Sequence, residues 1–236
     1  MTAFPEALDH GPLLPVCDGV WAVRGRFRMG PGVVIGRTMT VVRGPDGLVL
    51  LNTIRLTPAG EAALDALGPV RHVVKLADTH GVDEPYALAR YGATWWILPG
   101  ARTDTTLVER LLTGDGPVPG GRVLDLVDRP GLREAAYLVP HGGGTLVAVD
   151  AVQVHVDDEG TSWLGRLAGR AMGFTGGVIV PPFWRRKRGL AGPAVAEALR
   201  PVTDAAFAHL VTGHGPPVVG GADAAVRAAV ARAAQA

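Results

Sequence analysis

Val147-Ala148-Val149-Asp150 and Leu210-Val211-Thr212-Gly213-His214-Gly215-Pro216 are two short apolar runs, each stopping at a side chain able to hold a metal ion or a proton. Runs of this length bounded by turn residues read as buried strands. In open α/β sheets ligand sites gather at the carboxyl ends of strands, so two such endings mark a candidate site. A third stretch joins them: beyond the apolar Val73-Val74 comes Asp78-Thr79-His80-Gly81-Val82-Asp83, with three side chains able to bind a cation.

Working outward, the chain opens with β-rich sequence, since Gly19 to Arg28 and Val33 to Val42 are dense in Val, Trp, Phe and Thr. Arg43-Gly44-Pro45-Asp46-Gly47 is a turn, with a preset φ at Pro45 and tolerance of positive φ at Gly47, and it joins strands as a hairpin. From Leu48 strand and helix alternate. Leu48 to Leu51 is a strand, and Thr57-Pro58-Ala59-Gly60-Glu61 offers an N-cap, a proline at the first helical position and an acid in the first turn. Gly68-Pro69 ends that helix. A strand from Arg71 to Leu76, a helix from Glu84 to Tyr91 and a strand from Thr94 to Leu98 follow. This βαβ order implies parallel pairing. A second hairpin pairs Ala135 to Val139 with Thr145 to Val149 around His141-Gly142-Gly143-Gly144, which lacks the lysine and context of a phosphate loop. Helices are expected over Ser162 to Met172, Pro193 to Phe207 and Ala222 to Ala234, with a strand from His209 to Thr212.

Composition narrows the function classes. A chain of 236 residues can bury a sizeable core, and no break in composition divides it, so one domain over 1–236 is expected. A net charge of +1 gives no global field for nucleic acid or acidic lipid. The one basic run, Arg185-Arg186-Lys187-Arg188, reads as a solvated loop beside Pro181-Pro182. Cys17 alone excludes an internal disulfide and any cysteine-rich zinc site. The first residues lack the pattern of a signal peptide, and no stretch reaches the roughly 18 apolar residues of a membrane span, so the expectation is a soluble cytoplasmic protein.

A strand-rich start, βα units, then a second strand and helix set with Asp150 and Gly213-His214-Gly215-Pro216 at strand ends resembles the metallo-β-lactamase superfamily from about Gly19 to Ala234. The resemblance implies a four-layer αββα sandwich, whose members usually hold two metal ions at one edge of the paired sheets. The family's His-x-His-x-Asp-His loop falls on Asp78 to Asp83, where only His80 matches; Asp78 and Asp83 replace histidines and Val82 replaces the aspartate. Asn52-Thr53-Ile54 stands for the family's Asp-Thr-Gly, and Pro130-Gly131-Leu132 for its Pro-Gly-His.

The resemblance therefore implies a lactamase-like branch with a depleted site. Asp78, His80, Asp83, Asp150 and His214 are the expected ligands of one divalent ion, zinc, iron or manganese, with His80, Asp83 and Asp150 as catalytic residues. An ion held this way acidifies water and polarises an ester, thioester or related oxygen, so the expected activity is hydrolysis of a small, hydrophobic substrate. The alternative is a metal-free member that binds a small molecule, or runs non-hydrolytic chemistry, in the same cleft. The expected partner is the small-molecule substrate, with a homodimer left open and neither nucleic acid nor membrane called for. Trp163, Leu164, Leu167, Ala168, Ala171 and Met172 fall at helical spacing within residues 154–196. That segment reads either as an amphipathic helix packed on the core or as a lid insertion hinged at Gly173, Gly176 and Gly177. His10, His72, His141, His155 and His209 are expected to be solvated or structural.

Overall fold

Alternating β-branched and aromatic residues fold the first quarter into a meander: β1 (Leu13–Cys17), β2 (Val20–Gly30), β3 (Val33–Arg43) and β4 (Leu48–Leu51) pair antiparallel in sequence order. The structure, a computed structural model, describes residues 4–101, 109–127, 129–156 and 159–236. After β4 the chain crosses over through α1 (Pro58–Leu67), capped by the Thr57 hydroxyl accepting from the Gly60 amide, to β5 (Val70–Lys75), which is parallel to β4. A second crossover, α2 (Glu84–Tyr91), leads to β6 (Thr94–Ile97), and β7 (Glu109–Leu111) completes a seven-stranded sheet in sequence order.

The second half builds a five-stranded sheet. β8 (Arg122–Val127), β9 (Glu134–Val139) and β10 (Thr145–Val147) pair antiparallel, with the β9–β10 turn a short 3₁₀ segment at His141–Gly143. The chain then runs through β11 (Gln153–His155), α3 (Trp163–Ala171), β12 (Gly177–Ile179), α4 (Pro182–Arg188), α5 (Pro193–Ala198) and α6 (Arg200–Thr203). β13 (His209–Val211) returns parallel to β10, β14 (Val218–Val219) pairs with β13, and α7 (Ala222–Gln235) closes the chain. β11 and β12 form a separate two-stranded ribbon.

Why the central strands are continuous apolar runs is now plain: each is buried on both faces. Val49, Leu51, Val74, Ala135, Tyr137, Val139, Val147, Val149 and Val211 point inward and make one core between the two sheets. Their neighbours point outward. Leu48, Leu50 and Val73 meet Leu64, Ala87 and Leu88 of α1 and α2, while Ala136, Leu138, Leu146 and Leu210 meet Val195, Val202, Val226 and Val230 of the other helices. The result is the αββα layering expected from sequence.

The two sheets are joined at one end by polar bonds. The Thr38 amide donates to Gly213 O at 2.9 Å and the Ala135 amide to Leu76 O at 2.9 Å, while Ala77 and Glu134 form an isolated bridge. Asn52, the one non-glycine residue with positive φ (53°) among the described residues, donates from Nδ2 to Ala148 O at 2.9 Å. Asn tolerates this left-handed conformation better than most residues.

Two local expectations are corrected. Arg185 to Arg188 is not a solvated loop but the end of helix α4, and Arg188 is buried because its charge meets Glu134 at 2.7 Å. Pro193 to Phe207 is not one helix; Pro201 has no N–H to donate back to the Glu197 carbonyl, and the chain divides into α5 and α6. Among the described residues no helix is long and apolar enough to cross a membrane.

Candidate metal centre

Three segments leave the carboxyl ends of β5, β10 and β13 at the joined end of the sheets, and each delivers one candidate ligand. After β5, the Asp78 amide donates to Arg133 O and the Asp78 carboxylate accepts from the Arg133 amide, both at 3.0 Å, pinning this loop to the start of β9. His80 follows. After β10, the turn at Asp150 is held by Glu134, whose Oε1 accepts from the amides of Asp150 (2.8 Å) and Ala151 (2.6 Å). After β13, Gly215 has φ +86°, and a Cβ there would sit 1.7 Å from Val154 O, so only glycine lets His214 turn into the site.

His80, Asp150 and His214 converge, with one ligand atom from each lying within 4.8 Å of the others. His80 Nε2 is 3.4 Å and His214 Nε2 is 3.5 Å from Asp150 Oδ1, and the imidazoles meet edge to face at 5.6 Å. The other carboxylate oxygen accepts from the Thr79 hydroxyl at 2.8 Å, and Gln153 donates to Oδ1 at 3.2 Å. His214 Nδ1 lies 2.9 Å from Gly36 O. A carbonyl can only accept, so Nδ1 carries a proton, and it is Nε2 that faces the carboxylate oxygen. Such a contact calls for a cation between the two atoms, a proton or a metal ion.

Electrostatics agree with that reading. Burial pushes the His80 imidazole down, but the charge and hydrogen bond of Asp150 outweigh it, and the net shift is upward. For Asp150 burial pushes up, while His80 and His214 together hold the carboxyl well below its usual value.

Of the five ligands expected from sequence, the structure brings together His80, Asp150 and His214. Asp78 and Asp83 are not part of the group: Asp78 is engaged by Arg133, and Asp83, at the head of α2, forms a buried ion pair with Arg37. Arg37 also donates to Thr53 O at 3.1 Å and lies over the Phe27 ring. Beside it Glu84 is buried, and burial pushes its carboxyl up.

Sequence reasoning missed Glu134, which is 1% exposed and accepts from Trp184 Nε1 at 2.6 Å and Arg188 at 2.7 Å through Oε2. A charged residue opening an otherwise apolar strand was the only signal. His155, expected to be solvated or structural, stacks on Phe174 at 5.2 Å and lines the cleft.

That cleft, about 620 Å³, opens directly on the three ligands. One side is the β2–β3 hairpin, and the other is built by β11, α3, the loop before β12, and α4, all within residues 154–196 or at their edge. The α3 helix lies on β3, where Gly165 fits closely against Val34 O.

No protein-family model matches the chain, and no curated protein does. Solved structures do match it over nearly full length. A metallo-β-lactamase from Erythrobacter litoralis is 14% identical, with 97% of this chain and 94% of that one covered and a TM-score of 0.57. The metallo-β-lactamase FIM-1 from Pseudomonas aeruginosa, in its mono-zinc form, is 13% identical, with coverages of 99% and 98% and a TM-score of 0.57. A Nostoc protein assigned as a diflavin flavoprotein is 16% identical, with coverages of 98% and 97% and a TM-score of 0.62. At these identities the likeness establishes the fold.

Proposed function

We propose that this chain, which has the metallo-β-lactamase fold, is a metal-dependent hydrolase acting on a small ester or thioester in the cleft beside His80, Asp150 and His214. The observation that carries the reading is the convergence of His80 Nε2 and His214 Nε2 on Asp150 Oδ1, a set of two imidazoles and one carboxylate with one ligand atom from each within 4.8 Å of the others. That donor set suits zinc, iron or manganese with positions left open. When bound, a divalent ion supplies Lewis acidity for the carbonyl oxygen and lowers the pKa of water.

The chain's own residues do the rest. Thr79, Gln153 and Glu134 fix the Asp150 carboxylate through its oxygens and its backbone amide. Gly36 O keeps the His214 proton on Nδ1, leaving Nε2 as the ligand atom.

Protein purified without chelator should retain about one ion per chain by elemental analysis, and His214→Ala and Asp150→Asn should lose it together with esterase or thioesterase activity. Metal content no higher than in those variants, or hydrolysis indifferent to chelator, would overturn the reading. It would favour the metal-free alternative, which draws support from the engagement of Asp78 by Arg133 and of Asp83 by Arg37.

A further inference from the structure

Exposed apolar side chains are ordinary when scattered and informative when gathered. Five of the eleven large apolar residues exposed among the described residues, Met29, Val82, Val156, Met172 and Phe183, line the one cleft that also holds the candidate ligands. Within it Phe27 and Ile35 from the hairpin and Phe174 from the loop before β12 extend the same apolar surface.

From this wall we infer that the cleft binds a flexible, unbranched acyl chain, so that the substrates are acyl esters or acyl thioesters rather than short or strongly polar ones. The bond that is cut rests on the hydrolase reading above; the chain-binding wall does not. Its volume lies within the range of small-molecule pockets. Its surfaces come from separate elements, and two of its lining side chains are the methionines Met29 and Met172, whose unbranched thioethers adapt to a ligand of many conformers. Arg166, Arg170 and Lys187 also line the cleft, setting basic side chains beside the apolar wall.

The test is calorimetric titration of hexanoate, octanoate and decanoate, and of neutral octanol, into the full chain with and without chelator. Affinity should rise about fourfold per added methylene until the wall is filled, octanol should bind as well, and chelator should leave the slope unchanged. Met172→Glu and Phe183→Glu, at residues 41% and 53% exposed and so tolerant of charge, should each flatten the slope. Leu167→Ser, exposed but outside the lining, should not. Affinity independent of chain length, or a slope unaltered by both glutamate variants, would overturn the inference. A retained slope in protein that hydrolyses no acyl ester would sink the hydrolase reading and leave the acyl-chain site standing; hydrolysis indifferent to chain length, with a flat slope, would do the reverse.

Discussion

His80 is held between two opposing influences, and its protonation is the most direct handle on the site. With its folded pKa raised above the ordinary 6.5, its ion pair with Asp150 stabilises the metal-free fold fully below that value and is lost as pH rises through the raised one. Asp150, held well below 3.8, contributes above that value and loses its contribution as pH falls through the lowered one. Thermal melts of chelated protein should therefore place the pair's benefit between about pH 4 and pH 6.5, and His80→Ala should flatten the profile there. An ion competing for Nε2 reverses the upper limb, so added zinc should raise the melting temperature most above neutrality and release protons in an unbuffered titration. The three converging residues were legible because each follows a strand end, and strand ends are set by local apolar pattern. Asp78 and Asp83 share that loop and that chemistry, but their partners, Arg133 and Arg37, come from other elements. Nothing local distinguishes a carboxylate that meets a distant backbone amide or guanidinium from one that meets an ion.

At the scale of elements, Glu134 couples β9 to the turn after β10 and to α4. Glu134→Ala would strand the Arg188 charge, 5% exposed, and should cost roughly 3 to 5 kcal/mol in denaturant unfolding. Adding Arg188→Met should recover part of that loss, because the deeper cost is an uncompensated charge rather than a missing contact. Gly215→Ala forces a Cβ against Val154 O and should destabilise by more than about 1 kcal/mol; the same change moves His214, so elemental analysis should show less bound metal. The βα units between Leu48 and Leu98 were readable from caps and breakers such as Thr57, Pro58 and Gly68. β8 was not, because Arg122 and Asp125 interrupt its apolar pattern on a strand that is an edge of its sheet. Nor was α4, where four consecutive basic residues hide the burial of the last one until Glu134 is placed beneath it.

Across the whole molecule, two sheets share one core and are bonded to each other at the end that carries the site. Asn52 is part of that joint, and the two roles of its side chain can be separated. Asn52→Gly loses the bond to Ala148 O and should cost about 1 kcal/mol; Asn52→Ala also forces alanine into the left-handed region and should cost about 1 to 2 kcal/mol more, both measured by chemical denaturation. The sandwich itself was legible because strands buried on both faces leave continuous apolar runs, whereas the joint is made of backbone carbonyls that sequence does not display. Trp184 brings these scales together: its ring is 1% exposed, its Nε1 bonds the carboxylate that steadies Asp150, the Arg188 guanidinium lies 4.6 Å from its centre, and it lines the cleft. An indole so placed is a built-in optical gauge. Its emission should shift both when the cleft fills and when an ion settles on Asp150, and the difference spectrum between the native chain and Trp184→Phe would report the two events without any added dye.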